Sequence, residues 1–396
     1  MEATRSKRAC INREQLKPCD QRLLNNAILV AICVLLNSNV CRIISRCVAL
    51  VFVRLQRIIM TDIPLPAEFS DFLVDSGLHD GTAPLSAAPL TGGVSSEIWC
   101  IELADGPICV KRALSKLKVA AEWFAPIERN AYEVRWMQTA SDAVPGAAPA
   151  ILAHDAASGM FAMPFLDPNA YTVWKAALLD GHTDVQFAAA VGKTLASIHT
   201  ATMDDPKTAR RFATDQIFHA IRLEPYLETT ARAHPDVASA LLDLVGVTAR
   251  NQIALVHGDV SPKNIFIGPA GPVFLDAECA WYGDPAFDLA FCLNHFMLKC
   301  VHRPDTFNAY LDDFSAMTRS YMAAIPDRDR AQFIETRAAH LLPGLFLARV
   351  DGKSPVDYIT REVDKDRVRH TAKALLSDPV LHLEDVAGAW KREWDR

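Results

Sequence analysis

Val256-His257-Gly258-Asp259-Val260-Ser261-Pro262-Lys263-Asn264, followed twelve residues later by Asp276-Ala277-Glu278, is the stretch from which the fold can be read. It sets a carboxylate, an amide and a second carboxylate at the intervals that metal-dependent phosphoryl transfer requires. One acid stands beside the acceptor hydroxyl and takes its proton, an amide five residues on ligates magnesium, and an acid after the next hairpin binds metal between the phosphates. Ile265-Phe266-Ile267 and Val273-Phe274-Leu275 predict two short strands around the turn Gly268-Pro269-Ala270-Gly271. Such a hairpin carries Asn264 and Asp276 to the same end. Taken singly, Asp259 is an ordinary loop acid and His257 a satisfied core histidine; the information lies in the joint spacing.

His257-Gly258-Asp259, then Asn264, then Phe274-Leu275-Asp276-Ala277-Glu278, then Gly283-Asp284-Pro285-Ala286-Phe287-Asp288-Leu289-Ala290, resembles the aminoglycoside phosphotransferase and choline kinase superfamily, the small-molecule relatives of the protein kinases. The resemblance implies an α+β, bilobal, protein-kinase-like fold, with a small antiparallel β lobe carrying one helix and a larger, mostly helical lobe. It also implies ATP and Mg2+ as cofactors and a small-molecule hydroxyl as acceptor. Asp259 is then the base or hydroxyl-orienting group, and Asn264 and Asp276 are the magnesium ligands, oxygen donors suited to a hard cation. Two readings stand for Glu278, an outer-sphere metal partner or a structural acid paired with a base. Asp288 is expected to brace the catalytic loop as a buried acid, and His257 to serve as scaffold. One departure is Ser261, where many relatives carry a basic or imidazole side chain. Lys263 either replaces that phosphate contact or is a solvated loop lysine.

Upstream, Leu90-Thr91-Gly92-Gly93-Val94-Ser95-Ser96-Glu97 fits a phosphate-covering loop, with Gly92, Gly93, Ser95 and Ser96 as nucleotide contacts. Ile98 to Leu103, an Asp105-Gly106 turn and Ile108-Cys109-Val110-Lys111 predict a hairpin that ends in a lysine, and the resemblance implies that Lys111 binds phosphate. From Glu128 to Ala140 the pattern is helical, and Glu133 has Trp136, Met137 and Ala140 at positions three, four and seven beyond it. Glu133 is the expected partner of Lys111, with Glu128 as its rival. Met160 to Leu166 reads as the segment connecting the lobes.

Helical patterns follow at Phe187 to Thr200, Pro235 to Arg250, Phe287 to Lys299, Phe307 to Ala324 and Asp329 to Leu345. His199, near the end of the first, is expected to pack. The expected organisation is an extension over residues 1–59, a nucleotide-binding lobe over 60–166 and a helical catalytic and substrate lobe over 167–396.

The extension differs in kind from the rest. It holds ten Lys/Arg against three Asp/Glu, leaving 31 bases against 44 acids downstream, a balance that argues against nucleic acid as a partner. Half of the ten cysteines also precede Met60, and the others show no metal-ligand spacing, as expected of reduced thiols in a cytoplasmic enzyme. The apolar run Ala27 to Leu36 is shorter than a membrane span of roughly 18 residues. Three readings remain for residues 1–59: a membrane-surface or targeting segment, a signal-anchor, or a start codon assigned upstream of Met60. Membrane contact is expected only with this segment.

For the acceptor, Lys111 to Leu114, Glu128-Arg129 with Tyr132, and Ala280 to Gly283 are similar to methylthioribose kinases, although Asn264 stands where those carry a small hydroxyl residue. A sugar, amino sugar or amino alcohol satisfies the motif, and the surplus of acids is either an attraction for a cationic acceptor or, more commonly, a solvated acidic surface. Arg349 to Pro355 is either an acceptor contact or a plain turn, and Trp281 and Tyr282 are candidates for the pocket mouth. A kinase-shaped protein that binds nucleotide without turnover is the alternative, against which the completeness of Lys111, Asp259, Asn264 and Asp276 weighs.

Overall fold

A computed structural model describes residues 64–90, 96–114 and 126–395. Gly92, Gly93, Ser95 and the extension 1–59 lie outside the described residues.

A five-stranded antiparallel sheet has the order β1-β2-β3-β5-β4, built from β1 (Ser86–Leu90), β2 (Ser96–Leu103), β3 (Gly106–Ala113), β4 (Ala153–Asp155) and β5 (Met160–Pro164). Alternation along β3 decides what each face does. Ile108 and Val110 enter a small core with Trp99, Ile101, Met160 and Ala162, which helix α1 (Ala67–Asp75) closes with Phe69, Phe72 and Leu73. Cys109 faces the main core, and Lys111, two residues on, shares its side of the strand. Helix α2 (Arg129–Ala143) covers that side with Glu133, Val134, Trp136, Met137 and Ala140 buried, the predicted period of one helix face.

The helical part begins with β6 (Thr172–Val173), α3 (Trp174–Leu179) and α4 (Val185–Thr202), the last capped by Asp184, which accepts from the amides of Gln186 and Phe187. A ten-residue π-helical segment, His219–Glu228, contains Pro225. After α5 (Ala238–Arg250) come β7 (Ala254–Val256), the hairpin β8 (Ile265–Gly268) and β9 (Gly271–Phe274), and β10 (Trp281–Gly283), which pairs antiparallel with β7. Then follow α6 (Pro285–His302), α7 (Phe307–Ala324), α8 (Arg328–Asp351), α9 (Glu362–Ser377) and α10 (Leu383–Trp394). Asp284 caps α6 and Pro285 occupies its first turn, which explains Gly-Asp-Pro at this junction. Asp284 also receives Nε and Nη2 of buried Arg337 at 3.1 and 2.9 Å. Helices α4 and α7 touch through Gly192, where an added Cβ would meet the Met317 carbonyl at 2.4 Å. Only glycine permits that approach.

The expected α+β, protein-kinase-like architecture is thus present: an antiparallel sheet with a helix inserted after its third strand, then a helical body. The main core runs without a break from α2 through β7 to β9 into α6, α7 and α8. Trp136 of α2 lies edge-on to His257, centroids 4.5 Å apart, so the helix that supplies Glu133 also packs on the loop that supplies Asp259. Among the described residues no helix is long and apolar enough to cross a membrane.

Candidate active site

The hairpin register pairs Ile265 with Phe274, and the Leu275 amide donates to the Asn264 carbonyl at 2.9 Å. Asn264 and Asp276 therefore flank the open end of one hairpin, as their spacing requires. Asn264 donates its side-chain amide to the Asp259 carbonyl at 3.0 Å, which leaves Oδ1 as its acceptor atom. Asp276 has φ of +68°, a left-handed conformation that costs a non-glycine residue roughly 1 kcal/mol or more and marks functional positions.

Lys111 is the hub. Its buried ammonium donates to both Glu133 oxygens at 2.9 and 2.8 Å and to Asp276 Oδ1 at 2.6 Å, with Glu278 Oε1 3.2 Å away. Glu133, not Glu128, is the partner: Glu128 sits exposed at the N-terminus of α2. Burial works against the Lys111 charge, but Asp276, Glu133 and Glu278 outweigh it and hold the lysine well above its ordinary pKa. Burial pushes Glu133 up, with Asp276 and Glu278 adding to it against Lys111. Asp276 is held well below the usual carboxylate range, because Lys111 and Lys263 overcome its burial. Oxygens of Glu133, Asp276 and Glu278 lie within 4.8 Å of one another.

Glu278 belongs structurally to this cluster. It accepts from Arg129 Nε at 2.9 Å and from Ser96 Oγ at 2.7 Å, and Arg129 reaches on to the carbonyls of Pro126 and Leu114. Of its two readings, the geometry favours the acid paired with a base. Ser96, expected at the nucleotide, turns its hydroxyl to Glu278.

Asp259 is braced from behind. Asp288 accepts the His257 amide at 2.7 Å and the Gly258 amide at 2.8 Å, one on each oxygen, and His199 Nε2 lies 3.3 Å from it with Tyr321 on the other ring nitrogen at 2.7 Å. His199 is thus part of the brace as well as of the packing. The Asp259 amide donates to His257 Nδ1 at 3.1 Å, which fixes the neutral tautomer whose Nε2–H donates to the Leu275 carbonyl at 3.1 Å. Burial lowers the His257 pKa, consistent with that neutral form. Gly258 has φ of +79°, and a Cβ there would meet the Cys279 carbonyl at 2.7 Å.

Two cations converge on Asp259 Oδ2, Arg222 Nη2 at 3.0 Å and Lys263 Nζ at 3.0 Å. Despite burial, they hold its carboxyl below the ordinary value, Arg222 more than Lys263. Lys263, half exposed, is therefore a partner of the loop acid instead of a purely solvated lysine. Arg222 was not anticipated. It lies in the π-helical segment, buried against Tyr226 and Phe291, with Nε donating to the Gly258 carbonyl. The only signal in sequence was an arginine amid apolar residues interrupted by Pro225. π-helical segments concentrate at functional sites.

The Arg349 to Pro355 segment is the end of α8 and a turn. Arg349 Nη1 binds the carbonyl of Ser354, its hydroxyl at 3.1 Å and the Tyr226 hydroxyl at 3.3 Å, while Asp351 pairs with Arg369 at 2.7 Å and His234 at 2.8 Å. Trp281 and Tyr282 are buried; Trp281 stacks on Phe218 at 4.3 Å and donates to Asp215.

A model of the phosphotransferase enzyme family matches residues 86–334. A methylthioribose kinase of Yersinia pseudotuberculosis is 24% identical over 226 residues, 50% of this chain and 54% of that protein; one of Erwinia tasmaniensis is 25% identical over 305 residues, 66% of this chain and 75% of its own. The chain spans about half the length of the first of these. Among solved structures, a choline/ethanolamine kinase family protein from Mesorhizobium loti is 17% identical, covers 86% of this chain and 99% of its own, and superposes with a TM-score of 0.42. A Plasmodium vivax ethanolamine kinase is 13% identical, covers 74% and 82%, and superposes with a TM-score of 0.47.

Proposed function

The chain belongs to the phosphotransferase enzyme family, and on that premise we propose that it moves the γ-phosphate of ATP to a hydroxyl of a small molecule, with Asp259 at the acceptor and Asn264 and Asp276 holding magnesium. The observation that carries this reading is the contact set of the Lys111 ammonium on β3 with Glu133 from α2 and Asp276, two residues beyond β9. A structural ion pair needs two partners. Three acids converge on one lysine, and Asp276, the strained member, is also the most open of them, which suits a site that receives a cation and phosphates.

The donor set fits magnesium. Asp276 is the most open of the three acids, its side chain 32% exposed, and Asn264 uses its Nδ2 on the loop, which leaves Oδ1 as its donor to a metal. Both are hard oxygen donors. When bound, the metal neutralises charge that accumulates on the transferred group. Lys111, oriented by Glu133, holds the donor phosphates, and the glycines at 92 and 93 cover them in this reading.

Asp259 works mainly by position. With its pKa depressed by Arg222 and Lys263 it stays ionised and is a weak base, so it orients the acceptor hydroxyl and accepts its proton late. A loose phosphoryl-transfer transition state asks for little more than that. Asp288, gripping the amides of His257 and Gly258, keeps the loop in register with the hairpin.

The test is ATP consumption by the full chain with magnesium, screened against sugars, amino sugars and amino alcohols. Turnover that needs an acceptor, and is lost in Asp259→Asn while nucleotide still binds, supports the proposal. Undiminished turnover in that variant removes Asp259 from it.

A further inference from the structure

Three turns beyond Asp288, the face of α6 that begins at the catalytic loop carries unusual chemistry. Asp288, Phe291, His295 and Lys299 recur at helical spacing, so the stripe that starts under Asp259 runs past the Phe291 ring beneath Arg222 to His295 and Lys299. Lys299 is 1% exposed. Its ammonium meets the Tyr358 ring face at 5.5 Å and forms no hydrogen bond or ion pair among the described residues. A buried lysine with neither is rare, because an uncompensated charge in a low dielectric is costly.

Its surroundings make that isolation more telling. Lys175 from α3, Arg349 from α8 and Lys263 from the catalytic loop all bear electrostatically on His295, which Lys299 joins from one turn along α6. Arg349 stacks on Tyr226, whose ring also lies near Arg222, and its Nε is buried without a partner; so is the Tyr358 hydroxyl. At the end nearest the catalytic loop Asp259 offsets Lys263 and Arg222, and farther along the stripe the acids are few. Asp357 is exposed and 3.5 Å from Lys175, and Glu224 is taken by Arg232 and Lys353. The whole chain has a formal net charge of −6, so a group of cations along the stripe that starts under Asp259 is not a background property of its composition. Burial, then Lys175, depresses the Lys299 pKa to about 7. An arriving anion would restore its charge.

Building on the phosphotransfer reading above, we propose that the acceptor is an alcohol that also carries an anion, a phosphate ester or a carboxylate, and that Lys299, His295 and Arg349 hold that anion while Asp259 addresses the hydroxyl. Of the two readings of the overall surplus of acids, this leaves the solvated surface. A quaternary or primary ammonium would enter a basin already crowded with positive charge.

The experiment measures melting midpoints of the full chain saturated with MgADP, so that the phosphates of the donor site are already occupied. Glucose phosphate, glucuronate, glucose and glucosamine, and the corresponding ribose set, are added in turn. The phosphate or the carboxylate member should raise the midpoint, the neutral and amino members should not, and the stronger of the first two identifies the anion. Lys299→Met should weaken that binding about tenfold or more, the worth of a charge-assisted contact, yet leave the shift caused by MgADP intact. Lys299→Met with Arg349→Met should abolish the preference. Equal midpoints across the sets, protection by glucose or glucosamine as good as by the anions, or a preference that survives the double substitution overturns the assignment. Failure of the underlying phosphotransfer reading looks different: the unsubstituted protein then either gives no shift with MgADP or binds it and consumes no ATP with any of these acceptors.

Discussion

Arg222 and Asp259 form a buried ion pair, Nη2 to Oδ2 at 3.0 Å, and Lys263 reaches the same oxygen at the same distance. Oδ1 is left as the oxygen without a cation among the described residues, and so as the one that can meet an acceptor hydroxyl. Arg222→Met should therefore damage the reaction without touching nucleotide. Asp259 loses the stronger of the two cations that depress its pKa, so the acid limb of kcat/KM should move to higher pH, while the affinity for MgATP stays unchanged. A pH profile superimposable on that of the unsubstituted protein would show that Arg222 serves packing alone.

Asp259→Asn keeps the shape of the loop and removes the charge. Turnover should fall by roughly 10²- to 10⁴-fold, the range spanned by general acid–base contributions. MgADP binding, read by calorimetry, should persist. The orphaned Arg222 makes some loss of stability expected too, so a thermal melt belongs beside the kinetics.

Metal binding separates a second pair of substitutions. Asp276→Ala and Asn264→Ala should each raise the magnesium concentration at half-maximal rate, Asp276→Ala more, since a carboxylate neutralises charge and an amide does not. Unchanged midpoints in both variants would contradict the ligand assignment.

Lys111→Met and Glu133→Gln test whether one contact or two are lost. With both Glu133 oxygens on the ammonium, the double variant should lose less than the product of the single losses in kcat/KM, a coupling of about 0.5–3 kcal/mol. Strictly multiplicative losses would mean that Glu133 does not act through Lys111.

Lys299 predicts a pH dependence of stability whose sign can be worked out. Its folded pKa of about 7 lies below the unfolded value of roughly 10.4, so between these limits the unfolded chain binds more protons and stability rises with pH. Below pH 7 both states are protonated and the full burial penalty of the charge applies. Lys299→Met should melt higher than the unsubstituted protein at neutral pH, and the gap should narrow as pH climbs toward 10. A constant gap across that window would mean that the lysine is already paired.

The parts of the site legible in the sequence are those fixed by local geometry. Asp259, Asn264 and Asp276 follow from spacing across one loop and hairpin, Lys111 from the alternation of β3, and Glu133 from the period of α2. What escaped depends on elements meeting in space. Arg222 arrives from 36 residues before Gly258 through a segment whose π geometry has no simple periodicity. Lys299 lies in a helix whose apolar pattern was recognised, but nothing in its neighbours along the chain says that Lys175, Arg349 and Tyr358 will surround it. Strand β1 was missed because Pro89 weakens the pattern; as an edge strand it tolerates the missing donor. The helical patterns over Asp329 to Leu345 and Leu341 to Ala348 form one helix, α8, which runs through buried Pro343, where packing outweighs one lost hydrogen bond.

The stripe on α6 also works as a ruler. A helix advances about 1.5 Å per residue, so the eleven steps from Asp288 to Lys299 separate their Cα atoms by roughly 16 Å along the axis, and a lysine side chain, leaning toward the helix N-terminus, shortens the gap that a sugar-sized guest must bridge. The two ends sit on one rigid rod, and their separation cannot adjust to a guest. Discrimination by length follows. A molecule too short to touch both ends gains either the anion contact or a hydroxyl at Asp259, but not both at once, and within a homologous series of hydroxy acids the optimum should be set by the number of bonds between hydroxyl and anion. Moving Lys299 one helical turn toward Asp288 should shift that optimum to a shorter member.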